Sequence, residues 1–160
     1  MMLPEPHIVA SLGNMDFLKL HKTAFLCSRN VPASVVLKCF DWAIAQREAG
    51  KCVISGFHSR LEKDVLAYLL KGKQPVVVVL GRGMKQRIEP ELKKALAEER
   101  LLIVTPFERD VKWVTTEQAM MRNSLMLHLA QDIVIGYAKP EGNVAFLIKQ
   151  LNLDRQILCL

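Results

Sequence analysis

The stretch PVVVVLG, residues 75–81, places an uninterrupted apolar run between a proline and a glycine. A run this short and this rich in β-branched valine predicts a strand. Because no polar residue alternates with the apolar ones, both faces of the strand are expected to be buried, which is typical of a parallel sheet covered by helices. The stretch therefore predicts an α/β protein.

Strand and helix patterns alternate outward from this run in both directions. Strand patterns occupy residues 23–28, 51–56, 75–81, 100–106, 131–138 and 155–160, and helical periodicity separates each from the next. The Thr-x-x-Gln spacing of residues 115–118, at the start of one helical segment, is compatible with a capping box. This alternation predicts βαβ units in a doubly wound, mainly parallel sheet of about six strands with helices on both faces. Residues 1–160 are expected to form one domain, in which residues 1–22 are an extended lead-in.

Composition excludes several classes of protein. The chain is 51% hydrophobic and carries a net charge of +6, which favours an anionic partner. Its four histidines and four cysteines lack metal-ligand spacing, so neither a metal nor another cofactor is predicted. No apolar run approaches the roughly 20 residues of a membrane helix, and no signal peptide is recognisable. We expect a cytoplasmic protein with no membrane association.

The loops that follow the predicted strands are rich in positive charge. Ligands of doubly wound sheets bind outside the carboxyl ends of the strands, near the point where the strand order reverses. The basic side chains in those loops are Arg29, Arg60, Arg82, Lys85, Arg87, Arg109, Lys112 and Lys139. The loop glycines Gly56, Gly81, Gly83 and Gly142 would let an anion approach backbone N–H groups. This edge is predicted to bind phosphate, and we expect Arg29 and Arg82 to reach the same anion or adjacent ones.

Dinucleotide and nucleoside-triphosphate motifs are missing from this pattern. The first predicted strand ends in CSRN, without the glycine cluster of a dinucleotide fingerprint. Gly81 and Gly83 follow the third predicted strand, but no further glycine stands at the required spacing, and there is no P-loop. A classical dinucleotide enzyme is therefore not expected.

Six segments in order resemble one known family. They are FLCSRNVP, GKCVISGFHSRLEKD, VVVVLGRGMKQRIEPEL, RLLIVTPF, MMRNSLMLHLAQDIVIGYA and GNVAFLIKQL. Together they resemble the Rossmann-like domain of the DNA-processing protein A (DprA/Smf) family, over residues 8–160. The sequence departs from the family pattern at Cys27, at residues 57–60 and at residues 84–85. We do not expect the C-terminal winged helix that is common in the family.

The resemblance implies a function as well as a fold. Members of the family bind single-stranded DNA in a positively charged pocket, self-associate, and help to load a RecA-type recombinase during natural transformation. It therefore implies a homo-oligomer, such as a homodimer, that acts in DNA processing, uptake or recombination. Combined with the basic loops, it gives a candidate phosphate and nucleic-acid site of Ser28, Arg29, Asn30, Gly56, His58, Arg60, Gly81, Arg82, Gly83, Lys85, Arg122, Asn123, Gly142 and Asn143.

Catalysis is not predicted for this site. A related Rossmann-like family, the nucleoside-monophosphate phosphoribohydrolases, needs the motif P-G-G-x-G-T-x-x-E for catalysis. This chain lacks that motif. The corresponding stretch KPEGNVAFLIK carries Phe146 and Leu147 where a carboxylate is needed. Glu141 and Glu62 are more simply solvated or helix-capping acids. Nothing in the sequence links Cys27 to His58 as a catalytic pair. We expect a non-catalytic protein that binds single-stranded DNA, with a nucleotide-binding or nucleotide-sensing domain as the alternative.

Overall fold

Strands and helices alternate along the chain in the computed structural model, which describes residues 5–150 and 156–160. The strands within these residues are β1 (Ala10–Gly13), β2 (Lys22–Leu26), β3 (Cys52–Ser55), β4 (Val76–Val79), β5 (Leu101–Thr105), β6 (Asp132–Ile135) and β7 (Ile157–Cys159). The helices are α1 (Ala33–Glu48), α2 (Arg60–Leu70), α3 (Pro90–Ala97), α4 (Thr116–Leu129) and α5 (Asn143–Gln150), with a short 3-10 helix at Met15–Lys19.

The strands form a single sheet in the order β1-β5-β4-β3-β2-β6-β7. Every neighbouring pair is parallel except β1 and β5, which are antiparallel. The doubly wound, mainly parallel sheet is therefore confirmed, with seven strands in the described residues rather than about six. The additional strand is β1, which lies within the stretch expected to be an extended lead-in. Its short, largely exposed sequence ASLG carries little apolar signal, and its pairing with β5 is a long-range contact.

Helices cover both faces of the sheet, as predicted. On one face α4 and α5 bury Leu125, Met126 and Leu147 against the strands. On the other face α1, α2 and α3 bury a second cluster, in which Trp42 stacks on Phe25 with 5.1 Å between ring centroids. Strands β2, β3, β4 and β5 are buried along their whole length, since apolar helices lie against both sides.

Hydroxyl side chains hold the loops at the carboxyl ends of the strands. Ser55 Oγ donates to the Phe25 carbonyl at 2.9 Å and accepts from the Phe57 N–H at 3.3 Å. Thr105 Oγ1 donates to the Arg82 carbonyl and accepts from the Phe107 N–H at 3.1 Å. Both hydroxyl residues are fully buried. Each one therefore satisfies backbone groups of the turn that follows its own strand and binds that turn to a neighbouring strand or loop.

Two helices begin with capping boxes beside these loops. The Thr-x-x-Gln pattern at the start of α4 is confirmed, since Thr115 Oγ1 accepts from the Gln118 N–H and Gln118 accepts from the Thr115 N–H. Ser59 and Glu62 form the same reciprocal pair at the start of α2. These caps end both loops at defined residues. Within the described residues, no helix combines the length and the apolarity that a membrane crossing requires.

We expect Thr105→Val to lower the free energy of unfolding by about 1–3 kcal/mol, because the Arg82 carbonyl and the buried Phe107 N–H would lose their partner. Thr105→Ser is the matched control, since it keeps the hydroxyl and removes only a methyl group, at a cost of about 1 kcal/mol. Urea unfolding of the three proteins measures the difference. A valine variant as stable as the serine variant would contradict the role assigned to the hydroxyl.

Candidate functional site

The order of the strands reverses at β2, which pairs in parallel with β3 on one side and β6 on the other. The chain runs outward from β2 to β5 and then returns through α4 to β6. Because β2 to β6 are all parallel, the loops that follow them share one edge of the sheet. A crevice is expected where the connections diverge at β2 and β6.

A pocket of about 360 Å³ opens at this point and is called here the switch-point pocket. Ser28 joins two of its walls, because its N–H donates to the Tyr137 carbonyl at 2.8 Å and its Oγ accepts from the Lys139 N–H at 2.8 Å. The starts of α2, α4 and α5 also contribute to the lining. The predicted site residues that line this pocket are Ser28, Arg29, Asn30, His58, Arg122, Asn123, Gly142 and Asn143.

Arg122 is the most unusual side chain in the pocket. It projects from α4 and is only 6% exposed. Its Nε donates to Asn123 Oδ1 at 3.2 Å, and it forms no ion pair with any carboxylate in the described residues. Burial lowers the pKa of Arg122, Glu62 opposes this shift, and the charge of Arg29 adds to it. A buried cation without a bonded counter-ion is unfavourable unless an anion joins it.

Two glycines lie close to the guanidinium. A Cβ at position 56 would lie 2.7 Å from Arg122 Nε, which is too close for a real side chain. A Cβ at position 81 would meet Val114 first, at 3.0 Å, and would lie 3.4 Å from a terminal nitrogen of Arg122. Gly56 and Gly81 follow β3 and β4 and were predicted to let an anion approach the backbone. In the structure Gly56 makes room for Arg122.

His58 is affected by the positive charge of Arg122 and of several other cations. Partial burial, followed by the positive charges of Arg122, Lys63, Arg29 and Lys85, lowers the pKa of His58. The backbone N–H groups of His58 and Ser59 donate to the Glu62 carboxylate, at 3.2 and 3.0 Å. The imidazole is therefore neutral more often than an ordinary histidine, and an anion placed among these cations would favour its charged form.

A second pocket of about 710 Å³ lies between α2 and α3 and is called here the α2–α3 pocket. It shares His58 and Arg122 with the switch-point pocket. The predicted site residues that line it are Gly56, His58, Gly81, Arg82, Lys85 and Arg122. Arg29 and Arg82 thus line different pockets, which adjoin at the buried guanidinium.

Two predicted site residues line neither pocket. Arg60 is exposed on the first turn of α2. Gly83 donates its N–H to the Val111 carbonyl at 2.7 Å, and a Cβ there would lie 2.2 Å from the Glu108 carbonyl oxygen. The glycine at position 83 is therefore needed for close packing of the loops after β4 and β5.

Several lining residues were not in the predicted site. Thr115, Thr116, Ala119 and Met120 bring the first turns of α4 into the switch-point pocket. The sequence signal that could have identified these residues is the capping box at Thr115. It places the start of α4 directly after the loop that follows β5, at the carboxyl edge of the sheet. Among the described residues, no cluster of three or more His, Cys, Asp or Glu is placed to hold a metal ion.

Comparison with known proteins gives one family and several similar structures, among them two DNA processing proteins. A sequence model of the DNA recombination-mediator protein A family matches residues 2–160. DNA processing protein A (DprA) from Streptococcus pneumoniae is similar in structure, with a TM-score of 0.71 and 18% sequence identity over 93% of this chain and 53% of that chain. DNA processing protein A from Helicobacter pylori, whose structure is described for its single-stranded DNA binding mode, gives a TM-score of 0.69 and 15% identity over 87% of this chain and 64% of that chain.

At these low sequence identities, the structural similarity shows a shared fold alone. The chain spans between half and two thirds of the length of those two proteins. No curated protein matches it.

We expect Arg122→Met to raise the free energy of unfolding or to change it by less than about 1 kcal/mol, because it removes a buried charge that lacks a bonded counter-ion. Arg100→Met is the matched control at another buried arginine. Arg100 Nε donates to Glu98 at 2.8 Å and its guanidinium donates to the Leu70 carbonyl, so its loss should cost about 1–3 kcal/mol. Urea unfolding of both variants measures the contrast. A loss above about 2 kcal/mol for Arg122→Met would show that this arginine stabilises the fold.

Proposed function

Because the chain belongs to the DNA recombination-mediator protein A family, we propose that it binds single-stranded DNA through phosphate groups at the carboxyl edge of its sheet, without catalysing a reaction. The observation that carries this proposal is Arg122, a residue only 6% exposed at the junction of two pockets, whose guanidinium has no bonded carboxylate partner among the described residues. A phosphate oxygen would supply the missing partner.

The switch-point pocket offers further donors for the same phosphate. Arg29 and Lys139 are exposed at its rim. The Ser28 hydroxyl accepts from the Lys139 N–H, so its own proton is available to a phosphate oxygen. Contacts of this kind go to the nucleic-acid backbone and therefore position a strand without reading its sequence.

The groups that could act as catalysts are engaged elsewhere, which supports a binding role. Glu62 caps α2, where its carboxylate accepts from two backbone N–H groups. A hydrogen bond with Cys39, together with burial, raises the pKa of the Cys27 thiol, so little of it is present as the nucleophilic thiolate. Self-association and a RecA-type recombinase partner follow from the family resemblance alone and stay predictions.

The first test is the salt dependence of binding. We expect Arg29→Ala to weaken binding of an oligo-dT and to reduce the slope of log K against log salt concentration by about one unit, because one phosphate contact is lost. Lys73→Ala is the control, since Lys73 is an exposed cation before β4, at the opposite edge of the sheet. Fluorescence anisotropy at several salt concentrations measures both. An unchanged slope for Arg29→Ala would remove Arg29 from the binding site.

The same titration distinguishes a strand from a free nucleotide. If single-stranded DNA is the ligand, affinity rises with oligonucleotide length and falls steeply with salt, because several counter-ions are released together. If a nucleotide is the ligand, thymidine monophosphate binds as well as the oligomer and depends weakly on salt. Length-independent binding would thus contradict the proposal and favour the nucleotide-binding alternative.

We expect oligo-dT affinity to rise as the pH falls from neutral to mildly acidic values. Phosphate beside Arg122 and Arg29 would favour the charged imidazole of His58, so its pKa would be higher in the complex than in the free protein. The complex then holds more protons than the free protein between those two pKa values, and protonation strengthens binding across that interval. His58→Gln should lose this pH dependence. If the variant keeps the full dependence, another group is responsible for it.

A further inference from the structure

Two cysteine side chains lie together beneath the switch-point pocket. Cys27 follows β2, is 6% exposed and lines the pocket directly before Ser28. Cys39 lies on the second turn of α1 and is fully buried. Both are free thiols and pack in the same core cluster, on the face of the sheet covered by α1. The phosphate contacts proposed above use neither of them.

Gly136, directly after β6, is the point at which the two sulfur atoms meet. A Cβ at this position would lie 2.8 Å from Cys39 Sγ and 3.1 Å from Cys27 Sγ. Because both atoms lie so close to one point, they are neighbours, which agrees with the hydrogen bond between the two thiols. The glycine adds no side chain to the space that they share. A disulfide therefore needs only a short approach of two sulfurs that already interact.

The two thiols differ in access and in acidity. Cys27 faces the pocket, so a small oxidant can reach it, whereas Cys39 is closed off from solvent. A hydrogen bond from Cys27 lowers the pKa of the Cys39 thiol, although burial opposes the shift. Since the thiolate is the nucleophile in disulfide formation, Cys39 is suited to attack an oxidised Cys27.

We propose that Cys27 and Cys39 form an oxidant-sensitive dithiol, whose conversion to a disulfide weakens anion binding in the switch-point pocket. Hydrogen peroxide is the oxidant. Cys27 Sγ loses its proton and attacks one peroxide oxygen, the O–O bond breaks, and a sulfenic acid and one water form. The Cys39 sulfur then attacks the Cys27 sulfur, the S–O bond breaks, and the second oxygen leaves as water. The two sulfurs have lost two electrons, which the peroxide has gained.

Ser28 connects this chemistry to the pocket. It follows Cys27 directly, and it binds the loop after β6 through the Tyr137 carbonyl and the Lys139 N–H, at 2.8 Å each. A bond that draws Cys27 towards α1 pulls this backbone away from those partners and shifts Arg29 with it. The effect on binding rests on the proposed function, whereas formation of the disulfide does not.

Peroxide treatment of the Cys159→Ser variant tests the disulfide. The variant lacks the exposed thiol of β7, which could otherwise bridge two molecules. Two of its three remaining thiols should be lost, and trypsin should then release residues 23–29 linked to residues 39–47, as mass spectrometry can show. The rate of loss should rise with pH, because burial and the bond to Cys39 keep Cys27 protonated.

Two further substitutions in the same background are matched to each other. Cys39→Ala should abolish the linked peptides and leave Cys27 as a sulfenic acid that dimedone traps. Cys52→Ala removes another buried thiol, which packs in the opposite core cluster, and should leave the linked peptides unchanged. Absence of the linked peptides from the oxidised Cys159→Ser protein would overturn the proposal.

Binding is then compared before and after oxidation, by fluorescence anisotropy with an oligo-dT. The oxidised Cys159→Ser protein should bind at least about five-fold more weakly, as expected for the loss of one hydrogen-bonded contact, and dithiothreitol should restore its affinity. Peroxide should not change the affinity of the Cys27→Ala variant in the same background. Linked peptides with unchanged affinity would overturn the effect on binding. If the reduced protein does not bind oligo-dT, the proposed function fails, and the effect of the disulfide on binding fails with it.

Discussion

Parallel pairing of β2 with both β3 and β6 is the constraint on which the site depends. Parallel strands cannot be joined by tight hairpins, so each connection crosses a face of the sheet as a helix and returns to the same starting edge. The loops after the five parallel strands β2 to β6 are thereby collected at the other edge. Reversal of the strand order at β2 separates α1 from α5 and leaves the switch-point pocket open between them.

In the proposed function, Arg122 makes this open pocket an anion site. A guanidinium buried beside glycine backbone is electrostatically unfavourable in the ligand-free state, and a bound phosphate would relieve that cost. Gly56 belongs to this arrangement because a side chain at that position would crowd the guanidinium. The stability of the free protein and its affinity for anions would therefore be opposed at one side chain.

The loops around the site are held by short-range hydrogen bonds. Ser55 and Thr105 bind the turns that follow β3 and β5, and the Ser28 hydroxyl connects the loop after β2 to the loop after β6. The capping boxes of α2 and α4 close two of the same segments. Because these bonds anchor backbone groups, the donors around Arg122 are arranged before a ligand arrives, which limits the ordering that binding requires.

Local sequence determined most elements of this fold, and it placed the candidate site at the carboxyl edge of the sheet. The valine run of β4, the periodicity of the helices and the Thr-x-x-Gln cap of α4 are signals within a few residues of one another, and each correctly predicted its element. Strand β1 lacked such a signal, because ASLG becomes a strand only by pairing with β5 far along the chain. The site was decided in the same way by tertiary structure. Gly56 and Gly83 both lie in loops that follow a strand, and the sequence does not distinguish them. In the structure Gly83 packs against the loop after β5, whereas Gly56 faces Arg122. The crossing of α4 over the sheet brings Arg122 to Gly56 and Gly81 and divides the basic edge into two adjoining pockets. These contacts depend on how elements distant in sequence pack together, so only the tertiary structure could decide them.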